Sequence, residues 1–400
     1  MDLSFSPAEE AFRRELRAWL AANIPASWAA GERRDFESLD EEVTFLREWQ
    51  RRLAGDRWVG IHWPREYGGR GATVVENYIF QEEMAAALAP EIIGRIGVNL
   101  LGPTLIAHGT DAQKRRYLPK VLSAEEIWCQ LFSEPNAGSD LTAVRTRAER
   151  DGDDWVLTGQ KVWTSYAQFA RWGICLARTD PAAPKHKGIG YFIVDMHAPG
   201  VSVRPLRQLT GSEEFNEVFL EAVRVPAAAL IGAPTEGWQI AQTTLAHERG
   251  TAARQLGLQR MLLAEILQAA REMRRAGVPA CADPVIRQQL ARHWIEVEIM
   301  KLNNWRTLTR LLRREPLGAE SSIVKLFWSE MSQRMHDTAM ELLGSFGLLE
   351  GDSPHAVHGG RLQRSYLYYR AATIFAGTSE IQRNIVADQL AKRRVRPLTG

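Results

Sequence analysis

Up to about residue 125, apolar positions recur at helical spacing. Phe12, Leu16, Trp19 and Leu20 mark one such face, and Ser6 with Glu9 reads as a capping box with Pro7 at the first helical position. From about 126 to 236 the pattern turns strand-like. Asp151-Gly152-Asp153-Asp154 is a turn signal between Arg145–Ala148 and Trp155–Thr158, which predicts a hairpin. Ile174–Ala177, Tyr191–Val194 and Glu217–Leu220 are short β-rich runs separated by Gly and Pro. After Gly237 the helical period returns. Val285, Ile286, Leu290, Trp294, Val297, Leu302, Trp305 and Leu308 predict one helical face. Ile323, Leu326, Phe327, Met331, Met335, Ala339 and Leu342 predict another, and such stripes suit a helix bundle. The order helical, β, helical predicts an α+β chain in three domains: an N-terminal helical domain over 1–125, a middle antiparallel β domain over 126–236 and a C-terminal four-helix bundle over 237–400. Nothing alternates as βαβ units, which excludes a Rossmann arrangement.

Composition narrows the function classes. The 400 residues are 45% hydrophobic and 24% charged, an ordinary globular balance. Fifty basic and 48 acidic residues leave a net charge of +2, which argues against a nucleic-acid partner. Cys129, Cys175 and Cys281 are widely spaced and form no CxxC pair, so neither a disulfide framework nor a metal site is expected, and a reducing cytoplasm is the simplest home. The start shows no signal-peptide pattern, and no apolar run approaches the ~20 residues that span a bilayer. Thirteen tryptophans are many, and flat rings suit a large planar cofactor as well as a core. The Gly-rich stretch Tyr67–Gly71 has neither P-loop nor GxGxxG spacing and reads as a plain loop.

Four segments carry candidate chemistry. Leu131-Phe132-Ser133-Glu134-Pro135-Asn136-Ala137-Gly138-Ser139-Asp140 is a polar loop at the edge of the β region, with hydroxyls and amides that could hold a phosphate or a ring edge. Gly159-Gln160-Lys161-Val162-Trp163-Thr164-Ser165 follows the hairpin turn. Glu341-Leu342-Leu343-Gly344-Ser345-Phe346-Gly347 ends a helical stripe, and Gly377-Thr378-Ser379-Glu380-Ile381-Gln382-Arg383-Asn384 opens the last helix. The run SEPNAGSD with Ala143 after it resembles the first signature of the acyl-CoA dehydrogenase family. It departs at Leu131 and Phe132, where the family has a small and then an aliphatic residue. The second segment is similar to the family's Trp-Thr/Ser strand, and the last to its GTSEIQR helix start. The third resembles the family's QxxGGxG, with Glu for Gln and Ser for the second Gly. The four come in family order over nearly the whole chain.

The resemblance implies the acyl-CoA dehydrogenase fold, a bound FAD and α,β-dehydrogenation of an acyl-CoA to the trans-2-enoyl-CoA. It implies that the backbone of Leu131, Phe132 and Ser133 contacts the flavin ring and that Trp163, Thr164 and Ser165 pack on it. It places Thr378, Ser379 and Glu380 on FAD from the C-terminal domain, Gly344 and Ser345 near its adenosine end across a subunit boundary, and Ser139 at the CoA portion. A helix that starts near Thr378 presents free amides and a positive dipole end, which suits pyrophosphate.

The chemistry needs a carboxylate for the α-proton and donors for the thioester oxygen. In much of the family the base is a Glu just before the GT of the last segment. Here that position is Ala376, in Ile374-Phe375-Ala376-Gly377-Thr378. Other members carry the Glu early in the helix after the β domain, where this chain reads Leu245-Ala246-His247-Glu248-Arg249-Gly250. Taken alone, Glu248-Arg249 reads as a solvated pair. With Ala376 in view, the resemblance implies Glu248 as the base, followed by the family's arginine, Arg249. The backbone around Ala376 and Gly377 keeps its donor for the thioester oxygen.

One departure concerns the cofactor. Arg274-Arg275-Ala276-Gly277-Val278-Pro279 stands where many members have an Arg-x-Phe-Gly segment that reaches a neighbouring subunit's FAD. Softer similarities point to bacterial members acting on bulky or steroid side-chain acyl-CoAs. The implied assembly is a homodimer, homotetramer or α₂β₂ heterotetramer, and the implied electron acceptor an electron-transfer flavoprotein. Two rival readings stay open: a non-catalytic subunit of a mixed oligomer, and a flavin monooxygenase on the family fold.

Overall fold

The helices run in chain order as α1 (Pro7–Asn23), α2 (Leu39–Gly55), α3 (Val74–Ala86), α4 (Gly102–His108), α5 (Asp111–Leu122) and α6 (Gly237–Glu248). They continue as α7 (Ala252–Glu272), α8 (Pro284–Leu312), α9 (Glu320–Leu343), α10 (Arg361–Tyr369) and α11 (Ser379–Arg394). The structure is a computed structural model and describes residues 5–25, 28, 36, 38–248, 252–315 and 318–394; the side chains of 247, 248, 252 and 392–394 lie outside that description. Two compact units emerge. One gathers Met1–Leu20, Val74–Leu88 and Arg249–Gly400, the other Ala21–Thr73 and Ala89–Glu248.

The first is a helical unit. The Ser6 amide donates to the Glu9 carboxylate at 2.7 Å and the Glu9 amide to Ser6 Oγ at 3.3 Å, so the capping box starts α1 at Pro7. Arg13 bridges to Glu82 and Glu83 at 3.1 and 3.0 Å, and Arg17 to Glu83 at 2.7 Å, tying α1 to α3. A Cβ at Gly257 would stand 2.1 Å from the Ala85 Cβ, so glycine lets α3 and α7 touch. The core joins Leu263, Ile266, Ile286, Leu290, Met331 and Met335.

In α8 the single apolar stripe read from the sequence resolves into two faces. Ile286, Leu290, His293, Val297 and Met300 are buried, whereas Val285, Trp294, Ile295, Ile299 and Leu302 are exposed. The helix is apolar on more sides than its own unit covers. Buried His293 shares hydrogen bonds with Glu296 and Thr338, and Arg334 donates to Glu296 at 2.8 Å, so polar groups complete the inner face.

The second unit holds the sheet. Its strands are β1 (Trp128–Leu131), β2 (Arg147–Asp151), β3 (Asp154–Ser165), β4 (Trp172–Arg178), β5 (Ile189–Asp195), β6 (Val201–Leu206), β7 (Phe215–Val225) and β8 (Leu230–Ile231). They lie in the order β6-β7-β3-β2-β4-β5-β8, with β1 also beside β4. The hairpin pairs Asp151 with Asp154, and Gly152 supplies the left-handed turn at φ 63°. The antiparallel reading needs one amendment: β1 and β2 both run parallel to β4. β1 ends opposite Cys175, and β2 meets β4 again only at Arg178. Between these two contacts the chain leaves the sheet as residues 132–146, the stretch that includes the SEPNAGSD loop. The Gly-rich loop is structural, with the Gly71 amide bonded to the Trp63 carbonyl and Arg70 stacked 3.5 Å over Trp58. No described helix is long and apolar enough to cross a membrane.

Candidate active site

In the sheet unit, the excursion 132–146 leaves an interruption in the β4 ladder, and Lys161 fills it. Its side chain is 0% exposed. Its ammonium donates to the Phe132 carbonyl at 3.2 Å, the Leu176 carbonyl at 2.7 Å and Glu134 Oε1 at 2.8 Å. All three of its protons are therefore placed, as burial of a charge demands. Glu134 also accepts the amides of Arg145 at 2.6 Å and Thr146 at 2.9 Å. Burial pushes the Glu134 carboxyl up, but the Lys161 charge and these hydrogen bonds outweigh it and hold the group below the usual carboxylate range. The Val162 amide donates to the Ser133 carbonyl at 2.9 Å. Leu131, Phe132 and Ser133 are thus fixed alongside Lys161–Ser165, so two of the four sequence segments form one surface.

Alternation along β3 buries Trp155, Leu157 and Lys161, and period two would send Trp163 inward as well. Instead Trp163 adopts φ 60°, the pairing with β7 shifts between Lys161 and Thr164, and Trp163 is 62% exposed. The irregularity turns the indole out and hands the inward place to Thr164, which is fully buried. A left-handed non-glycine residue costs roughly 1–3 kcal/mol, so the exposed indole is held there by its surroundings. Phe215 meets the indole edge-on at 6.2 Å. Thr164 Oγ1 is buried with no hydrogen-bond partner among the described residues. The exposed flat ring is a surface on which a planar ligand such as a flavin ring fits, whereas the Thr164 hydroxyl is turned to the interior. Ser133 and Ser165 are half-buried beside it, and Ser139 is exposed farther along the excursion, next to Asp140, which accepts from Lys185 at 2.9 Å.

In the helical unit, Ala376 and Gly377 take successive left-handed conformations, φ 52° and 87°, in the turn before α11. The Gln382 amide latches that turn, donating to the Ala376 carbonyl at 3.2 Å and the Gly377 carbonyl at 3.3 Å. Thr378 Oγ1 accepts from the Ile381 amide at 3.2 Å and so caps α11, with Ser379 buried and Glu380 exposed in its first turn. Phe375 and Tyr368 expose part of their rings beside Trp328. Gly344 and Ser345 stand elsewhere, at the C-terminal end of α9. Arg383 of α11 pairs with Glu330 at 2.5 Å, so α11 lies against the first half of α9. Gly344 is 14 residues further on, ~20 Å along the helix axis at 1.5 Å per residue. Within one chain these two segments form separate clusters.

α6 runs without a break from Gly237 to Glu248. The Glu248 side chain and all of Arg249 lie outside the described residues. The sequence reading gave no role to Lys161 or Glu134. A lysine at an inward position of an alternating strand, with a glutamate in the preceding loop, was the signal that could have found them.

Three family descriptions match the chain in succession: acyl-CoA dehydrogenase N-terminal domain over residues 6–125, middle domain over 129–223 and C-terminal domain over 235–391. The chain is 40% identical to acyl-CoA dehydrogenase IpdE1 of Mycobacterium tuberculosis over 386 residues, covering 95% of this chain and 97% of that one. The crystal structure of the ChsE4-ChsE5 complex from Mycobacterium tuberculosis is similar with TM-score 0.84 and 32% identity, covering 98% of this chain and 99% of that chain. The Tcur3481-Tcur3483 steroid ACAD is similar with TM-score 0.85 and 34% identity over 98% of this chain and 99% of that chain. The strained, outward indole on β3, the braced loop beside it and the capped turn before α11 therefore belong to a known frame: the chain is a member of the acyl-CoA dehydrogenase family, oxidoreductases that desaturate acyl-CoA thioesters with a flavin.

Proposed function

We propose that Glu248 removes the α-proton of the bound acyl-CoA and that FAD is the flavin. The observation that carries this reading is alanine at 376, which leaves the turn before α11 without a carboxylate. The alternative position is the last residue of α6 in the sheet unit. Bound FAD would supply the two-electron oxidant that takes the β-hydrogen as hydride. Trp163 would cover one face of the isoalloxazine, with Thr164 beside it and Leu131, Phe132, Ser133 and Ser165 holding the ring edge. Thr378, Ser379 and Glu380 at the start of α11 face FAD, where amides and the helix dipole favour negative phosphate. Gly344 and Ser345 serve the adenosine end of a neighbouring subunit's FAD, which agrees with their separation from Thr378. The backbone at Ala376 and Gly377 donates to the thioester oxygen as charge develops there. Ser139 contacts the CoA portion, and Arg249 flanks the base.

The similar solved structures named for steroid work make steroid side-chain acyl-CoAs the first substrate class to test. The exposed face of Trp294, Ile295, Ile299 and Leu302 on α8 suits burial against another chain of this family. Native mass spectrometry separates a homotetramer from an α₂β₂ assembly. An electron-transfer flavoprotein is the proposed acceptor. The test of the base is Glu248→Gln. The variant should keep its yellow FAD and lose flavin reduction by ~10³-fold or more. Reduction at the wild-type rate refutes the assignment.

A further inference from the structure

Three hydroxyl groups in the sheet unit form a chain that the proposed chemistry does not yet use. Tyr191 of β5, Thr244 of α6 and Thr104 of α4 are each 0% exposed. Tyr191 Oη lies 3.1 Å from Thr244 Oγ1, and Thr244 Oγ1 lies 2.8 Å from Thr104 Oγ1. Thr104 Oγ1 donates to the Leu100 carbonyl at 2.7 Å. Thr244 Oγ1 also reaches the Ile240 carbonyl one turn back at 3.2 Å, so each threonine has a backbone acceptor beside the contact the two share. Each hydroxyl has one proton, and the three oxygens divide their protons among these contacts. Buried hydrogen bonds joined in this way polarise one another.

The end point is equally specific. Leu100 lies in a π-helical segment, Gly97–Leu101, directly before α4. Such widened turns disturb the regular backbone pairing and cluster at functional sites. Thr104 supplies a side-chain donor to a carbonyl there. A second tie runs outside the chain, from Thr243 Oγ1 to His108 Nε2 at 2.9 Å. Consecutive threonines of α6 are thus bound to the two ends of α4. At the other end of the chain, the Tyr191 ring meets the Phe132 ring edge-on at 5.7 Å and 88°. Phe132 is the residue whose carbonyl Lys161 holds.

We propose that the Tyr191–Thr244–Thr104 chain is a positioning network that sets α6, and with it the residue one turn after Thr244, against the braced loop 131–133. Residue 248 is that next turn, so the inference rests on the reading of Glu248 as the base. A base must be held within a few tenths of an ångström of its working geometry. Hydrogen bonds buried among rigid elements hold a helix in rotation and register, which apolar packing does less sharply.

The test compares Thr244→Val, which keeps the shape and removes the hydroxyl, with Thr244→Ser, which keeps the hydroxyl. Tyr191→Phe is the mildest cut of the chain. Each is studied as the FAD-loaded full chain. The first readout is hydrogen exchange of peptides covering 237–248, with peptides of β7 as the control. Thr244→Val should speed exchange in α6 by ~10-fold or more while β7 is unchanged, and Thr244→Ser should restore protection. The second is anaerobic flavin reduction by whichever of butanoyl-CoA, octanoyl-CoA, palmitoyl-CoA and cholestenoyl-CoA reduces the wild type fastest. The limiting rate should fall ~10- to 100-fold in Thr244→Val and Tyr191→Phe, with acyl-CoA affinity and FAD content within ~2-fold of wild type. Unchanged exchange in α6, or an unchanged rate, overturns the proposal. So does a parallel loss of FAD, affinity and rate, which would mark a general packing role. Glu248→Gln, measured beside them, separates the two levels. If it is inactive while Thr244→Val reduces normally, only the positioning network fails. If Glu248→Gln is active, the base assignment itself fails.

Discussion

Replacing Lys161 with methionine removes the group that fills the break in the β4 ladder. The Phe132 and Leu176 carbonyls each lose a donor, at about 1 kcal/mol apiece for a buried acceptor. The Glu134 carboxylate loses its counter-charge but keeps the amides of Arg145 and Thr146. Its share is therefore about 2 kcal/mol, less than the ~3–5 kcal/mol of a fully stranded buried charge. The expected loss is about 4 kcal/mol, confined to the sheet unit. A protein with two units need not unfold in one step, so the assay is urea-dependent hydrogen exchange of the β3 amides rather than a global melt. Adding Glu134→Gln should recover about half the loss, because a neutral amide tolerates the missing cation. The pH dependence follows the same pair. The folded carboxyl of Glu134 lies below its ordinary value of 4.5, so its contribution is present above that value and lost as pH falls through the folded pKa. That acid-labile part should shrink in the Lys161→Met protein. A β3 loss below about 1 kcal/mol, or strict additivity of the two substitutions, would refute the brace.

Two further outcomes test the geometry. Trp163→Gly removes the exposed indole and relieves its left-handed backbone, so stability of the FAD-free protein should hold or rise by about 1 kcal/mol while FAD affinity falls at least ~10-fold by equilibrium dialysis. Equal FAD affinity would remove Trp163 from the flavin surface. Gly102→Ala would place a Cβ 1.8 Å from Trp63 Cζ2, inside a buried ring whose Nε1 donates to the Val98 carbonyl at 3.1 Å. Thermal unfolding should show a loss of about 3 kcal/mol or more, and a neutral result would mean that the ring yields.

Much of the frame was legible in the residues alone. Helical periods, the Ser6 capping box and the Asp151–Asp154 turn depend on neighbours a few positions apart, so local chemistry settles them. The ordered motifs carried the family, and Ala376 showed that the family's usual glutamate is missing from its place. Tertiary structure decided the rest, because each remaining feature joins distant positions. Alternation would bury Trp163, and only the shifted pairing with β7 turns it outward. Lys161 has a meaning only once the excursion after β1 leaves carbonyls for it to hold. The apolar stripe of α8 could not reveal which side its own unit covers. Tyr191, Thr244 and Thr104 are unremarkable hydroxyls in sequence, up to 140 positions apart, and become one hydrogen-bonded chain only where β5, α6 and α4 meet.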